Sequence, residues 1–186
     1  MFKTLIKRIA KALQEANLPY MIIGGQAVLF YGEPRLTKDI DITLGVDTEA
    51  LKEVVEVTKK LNFKILINDV DDFVKKTMVL PTEDPSTGVR VDFIFSHSLY
   101  EKQAIERAKE VKFGRIPVKM ASLEDVVIHK IVAGRQRDLD DVKNLFLKNP
   151  VYDRDYIIEW LKKFDESLSE GFLRSFEEIE RLLRNK

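Results

Sequence analysis

The chain contains no cysteine, which excludes a disulfide framework and thiolate zinc sites. It has only two histidines, His97 and His129, so an imidazole zinc site is not expected either. Any metal would be a hard cation held by carboxylates. It lacks a surplus of charge: 31 Lys and Arg stand against 31 Asp and Glu. No global field therefore draws it to nucleic acid or to an anionic membrane, although a local patch such as Arg115, Lys119, Lys130, Arg135 and Arg137 could still serve an RNA. It also lacks long apolar runs. None approaches the ~20 residues a spanning helix needs. The opening MFKTLIKRIAKALQEANL places Phe2, Leu5, Ile6, Ile9 and Leu13 at helical spacing between basic residues, which is an amphipathic helix and not a signal peptide. No membrane partner and a cytoplasmic location are the expectation.

What is present is an ordinary core-forming chain of 186 residues, 45% hydrophobic, without repeats or low-complexity segments. Periodicity predicts a helix over 2–16, a strand at YMII (20–23), a short helix at QAVLFYG and a strand at DIDITL (39–44). A helix is predicted at TEALKEVVEVTKKL with Thr48 near its cap, and strands at FKILI and KKTMVL. PTEDPSTG reads as a turn and VRVDFIF as a strand; LYEKQAIERAKEV reads as a helix, and a strand pair surrounds Gly114. From Ser122 onward the pattern is helical, opened by a Ser-x-x-acidic cap at Ser122 and Asp125. The fold class is α+β: a small mixed sheet flanked by helices (residues 1–120), followed by an all-helical region (121–186) packed on it.

Chemistry concentrates in GGQAVLFYGEPRLTKDIDI, residues 24–42. Residues i and i+2 of a strand share a face, so Asp39 and Asp41 project together, opposite Ile40 and Ile42. Adjacent carboxylates repel unless a cation sits between them. Oxygen ligands favour Mg2+ or Mn2+, completed by water and substrate phosphates. A lone Asp-x-Asp is equally a solvated face, and a lone Gly-Gly a plain turn. Here Gly24 and Gly25 stand where a strand turns into a helix, which lets backbone amides approach phosphate. Asp92 sits on another alternating strand, on the non-core face with Arg90. If the two strands are neighbours, three carboxylates converge, as in two-metal nucleotidyl transfer.

These elements resemble the polymerase-beta-fold nucleotidyltransferase superfamily: Ile23-Gly24-Gly25, then Asp39-Ile40-Asp41-Ile42, then Val91-Asp92-Phe93. Gly-Gly-Gln-Ala with Arg-x-Thr-x-Asp-Ile-Asp looks most like the small AbiEii toxin-type nucleotidyltransferases, and aminoglycoside nucleotidyltransferases share a similar Gly-Gly-x-Ala opening. The resemblance covers roughly residues 20–141. It departs at Lys38 and Gly25, where many members carry serine. It implies that Asp39, Asp41 and Asp92 hold metal, that Gly24 and Gly25 cradle phosphates, and that Arg35, Thr37 and Lys38 flank the triphosphate. It further implies that Lys130 meets phosphate and that Asp138 supports the site. A nucleoside triphosphate such as ATP would be the donor. The acceptor (tRNA, protein or a small molecule) stays open, as does an antitoxin partner.

The residues admit other readings. Lys130 lies on or beside an apolar helical stripe, where a lysine either snorkels outward or reaches an anion. Arg135, Arg137 and Asp140 suit a surface ion-pair cluster. His97 reads as a turn residue and His129 as surface; Trp160, Phe172, Phe176 and Ile179 have core spacing. DIDIT also matches the Asp-x-Asp-x-Thr of haloacid-dehalogenase-like phosphatases, but the apolar strand those enzymes place before the first aspartate is replaced by RLTK. A nucleotide-binding homologue without turnover is the non-enzymatic alternative.

Overall fold

The computed structural model describes residues 1–33, 36–96 and 98–184. The chain divides into two compact units, Met1–Gln26 with Leu36–Ala121, and Ala27–Arg35 with Ser122–Lys186.

The first unit is built on one mixed seven-stranded sheet of order β3-β4-β5-β2-β1-β7-β6. Its strands are β1 (Tyr20–Ile23), β2 (Asp39–Leu44), β3 (Lys64–Ile65), β4 (Val79–Asp84), β5 (Val89–Ile94), β6 (Lys109–Phe113) and β7 (Ile116–Met120). β2 runs antiparallel to β1 and parallel to β5. All four side chains of β1 are buried, as suits a strand paired on both edges, whereas the edge strand β6 exposes Lys109, Glu110 and Lys112. Charged edge residues of this kind discourage pairing with a second sheet. Helix α1 (Phe2–Glu15) buries Leu5, Ile6, Ile9 and Leu13, the stripe its spacing predicts. The arginine between them, Arg8, donates to the Leu61 carbonyl at 2.9 Å and pairs with buried Asp84 at 3.5 Å.

Three segments depart from expectation. KKTMVL is not one strand: residues 70–77 form helix α4 (Val70–Thr77), and β4 begins only at Val79. Asp69 caps that helix by accepting from the Asp72 amide at 3.2 Å, acidic residues fill its first turn and lysines its last, and Lys76 meets Asp72 at 2.6 Å. Such charges complement the helix dipole and outweigh the apolar tail of the segment. PTED is strand and not turn. Proline removes only a donor there; the Pro81 carbonyl still accepts from Leu66 N at 3.0 Å. The turn is confined to residues 85–88, where the Asp84 carboxylate accepts from Ser86 and Thr87. The expected FKILI strand shrinks to Lys64–Ile65. A one-turn 3-10 helix, Thr48–Ala50, is capped by Asp47 and leads into α3 (Leu51–Lys60). Helix α5 (Leu99–Glu106) opens on a capping box made by Ser98 and Glu101.

The second unit gathers the later part of α2 (Gly24–Tyr31) with α6 (Leu123–Ala133), α7 (Gln136–Lys148), α8 (Arg154–Leu168) and α9 (Phe172–Arg184). Its core holds Val127, Ile131, Val142, Leu145, Ile157, Leu161, Phe176 and Ile179, with Trp160 and Phe172 also buried. Several polar groups are buried among them and paired. Tyr156 donates to Asp125 at 2.8 Å, the Asp153 amide donates to Glu124 at 3.0 Å, and Arg154 meets Glu180 at 2.7 Å. Ser122 caps α6: its hydroxyl accepts from the Asp125 amide at 3.1 Å and donates to the Asp125 carboxylate at 2.6 Å. Ser122→Ala should therefore cost about 1–2 kcal/mol, the upper part of the capping range, because buried Asp125 loses a donor as well. Urea unfolding followed by circular dichroism would measure it. Among the described residues no helix is long and apolar enough to cross a membrane.

Candidate active site

The parallel register of β2 and β5 sets Asp41 directly beside Asp92 and Asp39 beside Arg90. Since register partners and i+2 neighbours share a face, Asp39, Asp41, Arg90 and Asp92 all lie on one side of the sheet. The intervening Ile40, Ile42, Val91 and Phe93 are fully buried on the other. The strict alternation of DIDI and VRVDF is thus the cause of the site. The apolar half anchors both strands, and the polar half is left partly open to solvent.

The sheet brings a fourth element to the carboxylates. Ile23, the last residue of β1, is in register with Asp41, and Gly24 opens α2 immediately after it. Gly24 has φ +63°, and a Cβ there would lie 1.9 Å from Asp41 Oδ2. The helix N-terminus and the carboxylate are therefore in contact, and only glycine permits it. Thr37, buried, donates its hydroxyl to Asp39 Oδ1 at 2.9 Å. The Gln26 side-chain amide reaches the Asp39 carbonyl at 3.4 Å. Thr37, expected beside the triphosphate, is thus placed as the group that orients Asp39. Lys38 is exposed next to it. Arg35 and His97 lie outside the described residues.

Two contributors were not drawn from the sequence. Gln26 gave no signal beyond its place after the glycines. Arg90 gave one, the i, i+2 spacing to Asp92. Its Nε donates to both Asp92 oxygens, at 2.8 and 3.0 Å. That hydrogen bond, together with the charges of Asp92, Asp39 and Asp41, raises the guanidinium above its ordinary pKa, so the field of all three carboxylates reaches it.

The donor set suits a divalent hard cation: oxygen only, three carboxylates on one face, beside a helix N-terminus. As the side chains stand, no group of three or more His, Asp or Glu among the described residues is drawn together tightly enough to hold a metal. Asp92 is turned to Arg90 instead. The phosphatase alternative needs its first aspartate at the end of an apolar strand, whereas Asp39 opens β2.

The second constellation belongs to the helical unit. Lys130 does not snorkel: it is 7% exposed, and its ammonium lies 2.5 Å from Asp138 and 3.0 Å from Asp141. Arg135 reaches the far oxygen of Asp138 at 2.5 Å. Burial alone would raise the Asp138 carboxyl, but hydrogen bonds and charge from Arg135 and Lys130 hold it below the usual aspartate range. Asp140 pairs on the surface with Lys143 at 2.9 Å. His129 is half-buried and not at the surface. The basic patch considered for RNA is thinned accordingly, since Lys130 is taken up by two aspartates, Arg135 by Asp138, and Lys119 lies 3.5 Å from Glu110.

Solved structures share this fold. The antibiotic-resistance factor ANT(2'')-Ia, in solution, is similar at 18% identity and TM-score 0.53, over 98% of this chain and 95% of that one. A crystal structure of ANT(2'')-Ia in complex with adenylyl-2''-tobramycin is similar at 21% identity and TM-score 0.53, over 78% and 87% of the two chains. An antigenic nucleotidyltransferase-like protein from Paracoccidioides brasiliensis is similar at 18% identity and TM-score 0.56, over 93% and 92%. No curated protein matches the chain in sequence. The family described as Nucleotidyl transferase of unknown function (DUF2204) matches residues 2–185, and the chain therefore belongs to this family of nucleotidyltransferases.

Proposed function

We propose that the chain transfers a nucleoside monophosphate from a nucleoside triphosphate, with ATP the first candidate, to an acceptor hydroxyl. The acceptor oxygen bonds to the α-phosphorus, the bond to the leaving pyrophosphate breaks, and the hydroxyl proton is released. The observation that carries this reading is the β2–β5 register, which sets Asp41 beside Asp92 and Asp39 one step along, with the α2 N-terminus against Asp41.

Asp39, Asp41 and Asp92 would hold Mg2+ or Mn2+, which when bound would lend positive charge to the phosphates and the acceptor oxygen. The first amides of α2, left uncovered by Gly24 and Gly25, would donate to phosphate oxygens. Thr37 keeps Asp39 in one orientation, so that carboxylate need not reorganise. Arg35 and Lys38 flank the triphosphate in this reading. Lys130 enters it as the cation that fixes Asp138 and Asp141 within the helical unit rather than as a phosphate ligand.

At 21% identity the likeness to the tobramycin complex carries the fold and not the acceptor. A tRNA end, a protein hydroxyl and a small hydroxylated molecule all remain acceptors to be assayed. The AbiEii-type likeness adds a toxin role with an antitoxin partner; growth arrest by the wild type, absent with Asp39→Ala, would support it. A homologue that binds nucleotide without turnover has one observation in its favour, the engagement of Asp92 by Arg90.

The test is incubation with each α-labelled triphosphate, Mg2+, and either total RNA or cell lysate. Label transfer that drops about 10³-fold in Asp39→Ala supports transfer and identifies the acceptor class. Magnesium-dependent triphosphate binding without transfer favours the silent binder. Neither binding nor transfer sinks both readings.

A further inference from the structure

Three like charges on one face of two adjacent strands require a cation, and the chain supplies one of its own. Arg90 stands one strand spacing, about 4.8 Å, from Asp39 in the β2–β5 register, and its side chain bends along β5 to Asp92. The same register continues outward: Lys64 of β3 faces Glu83 of β4, and Glu83 faces Arg90. Across four strands the row Lys64, Glu83, Arg90, Asp39 therefore alternates in sign.

We propose that Arg90 is a resident counter-cation of this face, and that a divalent ion takes Asp92 only by displacing the Arg90 guanidinium. This rests on the reading of Asp39, Asp41 and Asp92 as the ion-holding carboxylates. Three observations support the exchange. First, Nε engages both Asp92 oxygens, so the side on which an ion would chelate the two together is already occupied. Second, the pair is built to part: the Arg90 side chain is 54% exposed and the Asp92 side chain 15%, and partly solvated pairs are worth little. Third, the displaced guanidinium has a destination. Glu83 lies beside it in register, with Lys64 beyond, so leaving Asp92 does not strand a charge. Arg90 is thus a positioning residue. It holds the carboxylate face together between turnovers and sets how much ion is needed to load it.

The experiment is Mn2+ binding to the full chain without nucleotide, read from the paramagnetic resonance of free Mn2+. The proteins are the wild type, Arg90→Gln, Asp92→Asn, the double variant and Asp39→Ala, each checked for folding by its melting temperature. Arg90→Lys serves as a second variant that keeps the charge but loses the two-oxygen contact. Arg90→Gln should bind Mn2+ on the order of fivefold more tightly than wild type, and Arg90→Lys should fall between. The gain should vanish in the Asp92→Asn background.

Unchanged or weaker binding by Arg90→Gln, with wild-type binding intact and lost in Asp39→Ala, overturns the role of Arg90 and leaves the site reading standing. A gain that persists without Asp92 shows an effect of net charge alone and also overturns it. Absence of Mn2+ binding in both wild type and Arg90→Gln overturns the three-carboxylate reading itself, and the proposal with it.

Discussion

Gly24→Ala is expected to lower nucleotidyl transfer about 100-fold or more while costing only about 1–2 kcal/mol of stability. The two effects have different origins. The backbone at Gly24 is left-handed, φ +63°, which a side chain tolerates at a modest conformational cost. The larger effect is steric. A methyl group 1.9 Å from Asp41 Oδ2 cannot coexist with that carboxylate, and the atom that gives way is the one that would hold the ion in the proposed reaction. Asp41 must swing off the face it shares with Asp39 and Asp92, and a shift of about 1 Å is enough to cost two orders of magnitude. Gly88→Ala is the control. Gly88 has φ +67°, but a Cβ there would meet nothing within 4 Å, so it should show the stability loss without the loss of transfer. The pair is read by melting temperature and by initial rate. If Gly24→Ala melts like Gly88→Ala and retains its rate, the contact between α2 and Asp41 has no part in activity.

The second large effect is on folding. Lys130→Met should destabilise the protein by about 3–5 kcal/mol, because it leaves Asp138 and Asp141 buried without the ammonium between them. Its stability should fall less steeply in acid than that of the wild type. In the wild type the Asp138 carboxyl is depressed below its unfolded value of 3.8. Its contribution is therefore complete above that value and is lost as pH falls through the folded pKa. Without Lys130, only Arg135 still opposes burial, so the folded value moves up toward the unfolded one. The Asp138 contribution is then smaller, so the difference from wild type is greatest near neutrality and shrinks as pH falls through the folded pKa of the wild type. Guanidinium unfolding at a series of pH values measures this. A constant small difference across the series would show that Lys130 is not the counter-ion of that pair.

The part of the site made by regular alternation was legible in the sequence. DIDI and VRVDF each declare a buried face and a polar face, and the resemblance to nucleotidyltransferases rests on the same residues. The spatial fact that completes it, β5 lying parallel beside β2, is a matter of topology that neither strand encodes alone. Arg90 was visible on the right face, but its bond to Asp92 depends on which way a long side chain bends, and spacing does not fix that. Helix α4 does not show in the apolar pattern of KKTMVL, because capping at Asp69 and charges at both ends decide its conformation. Lys130 was harder still. A lysine beside an apolar stripe commonly snorkels, and only the fold of α6 against α7 reveals two carboxylates waiting for it.

The carboxylate strand β2 occupies the middle position of the seven-stranded sheet, with β1 on one edge and β5 on the other. Its amides have no route to solvent through fraying of an edge. Hydrogen exchange at Ile40, Asp41 and Ile42 should therefore be limited by the most global opening of the sheet, while β3 and β6 exchange sooner. The geometry that aligns the three aspartates then has no partly melted form. Heat or denaturant should remove it in the same cooperative step that removes the sheet, and slow evolutionary drift at the edges can proceed without disturbing it.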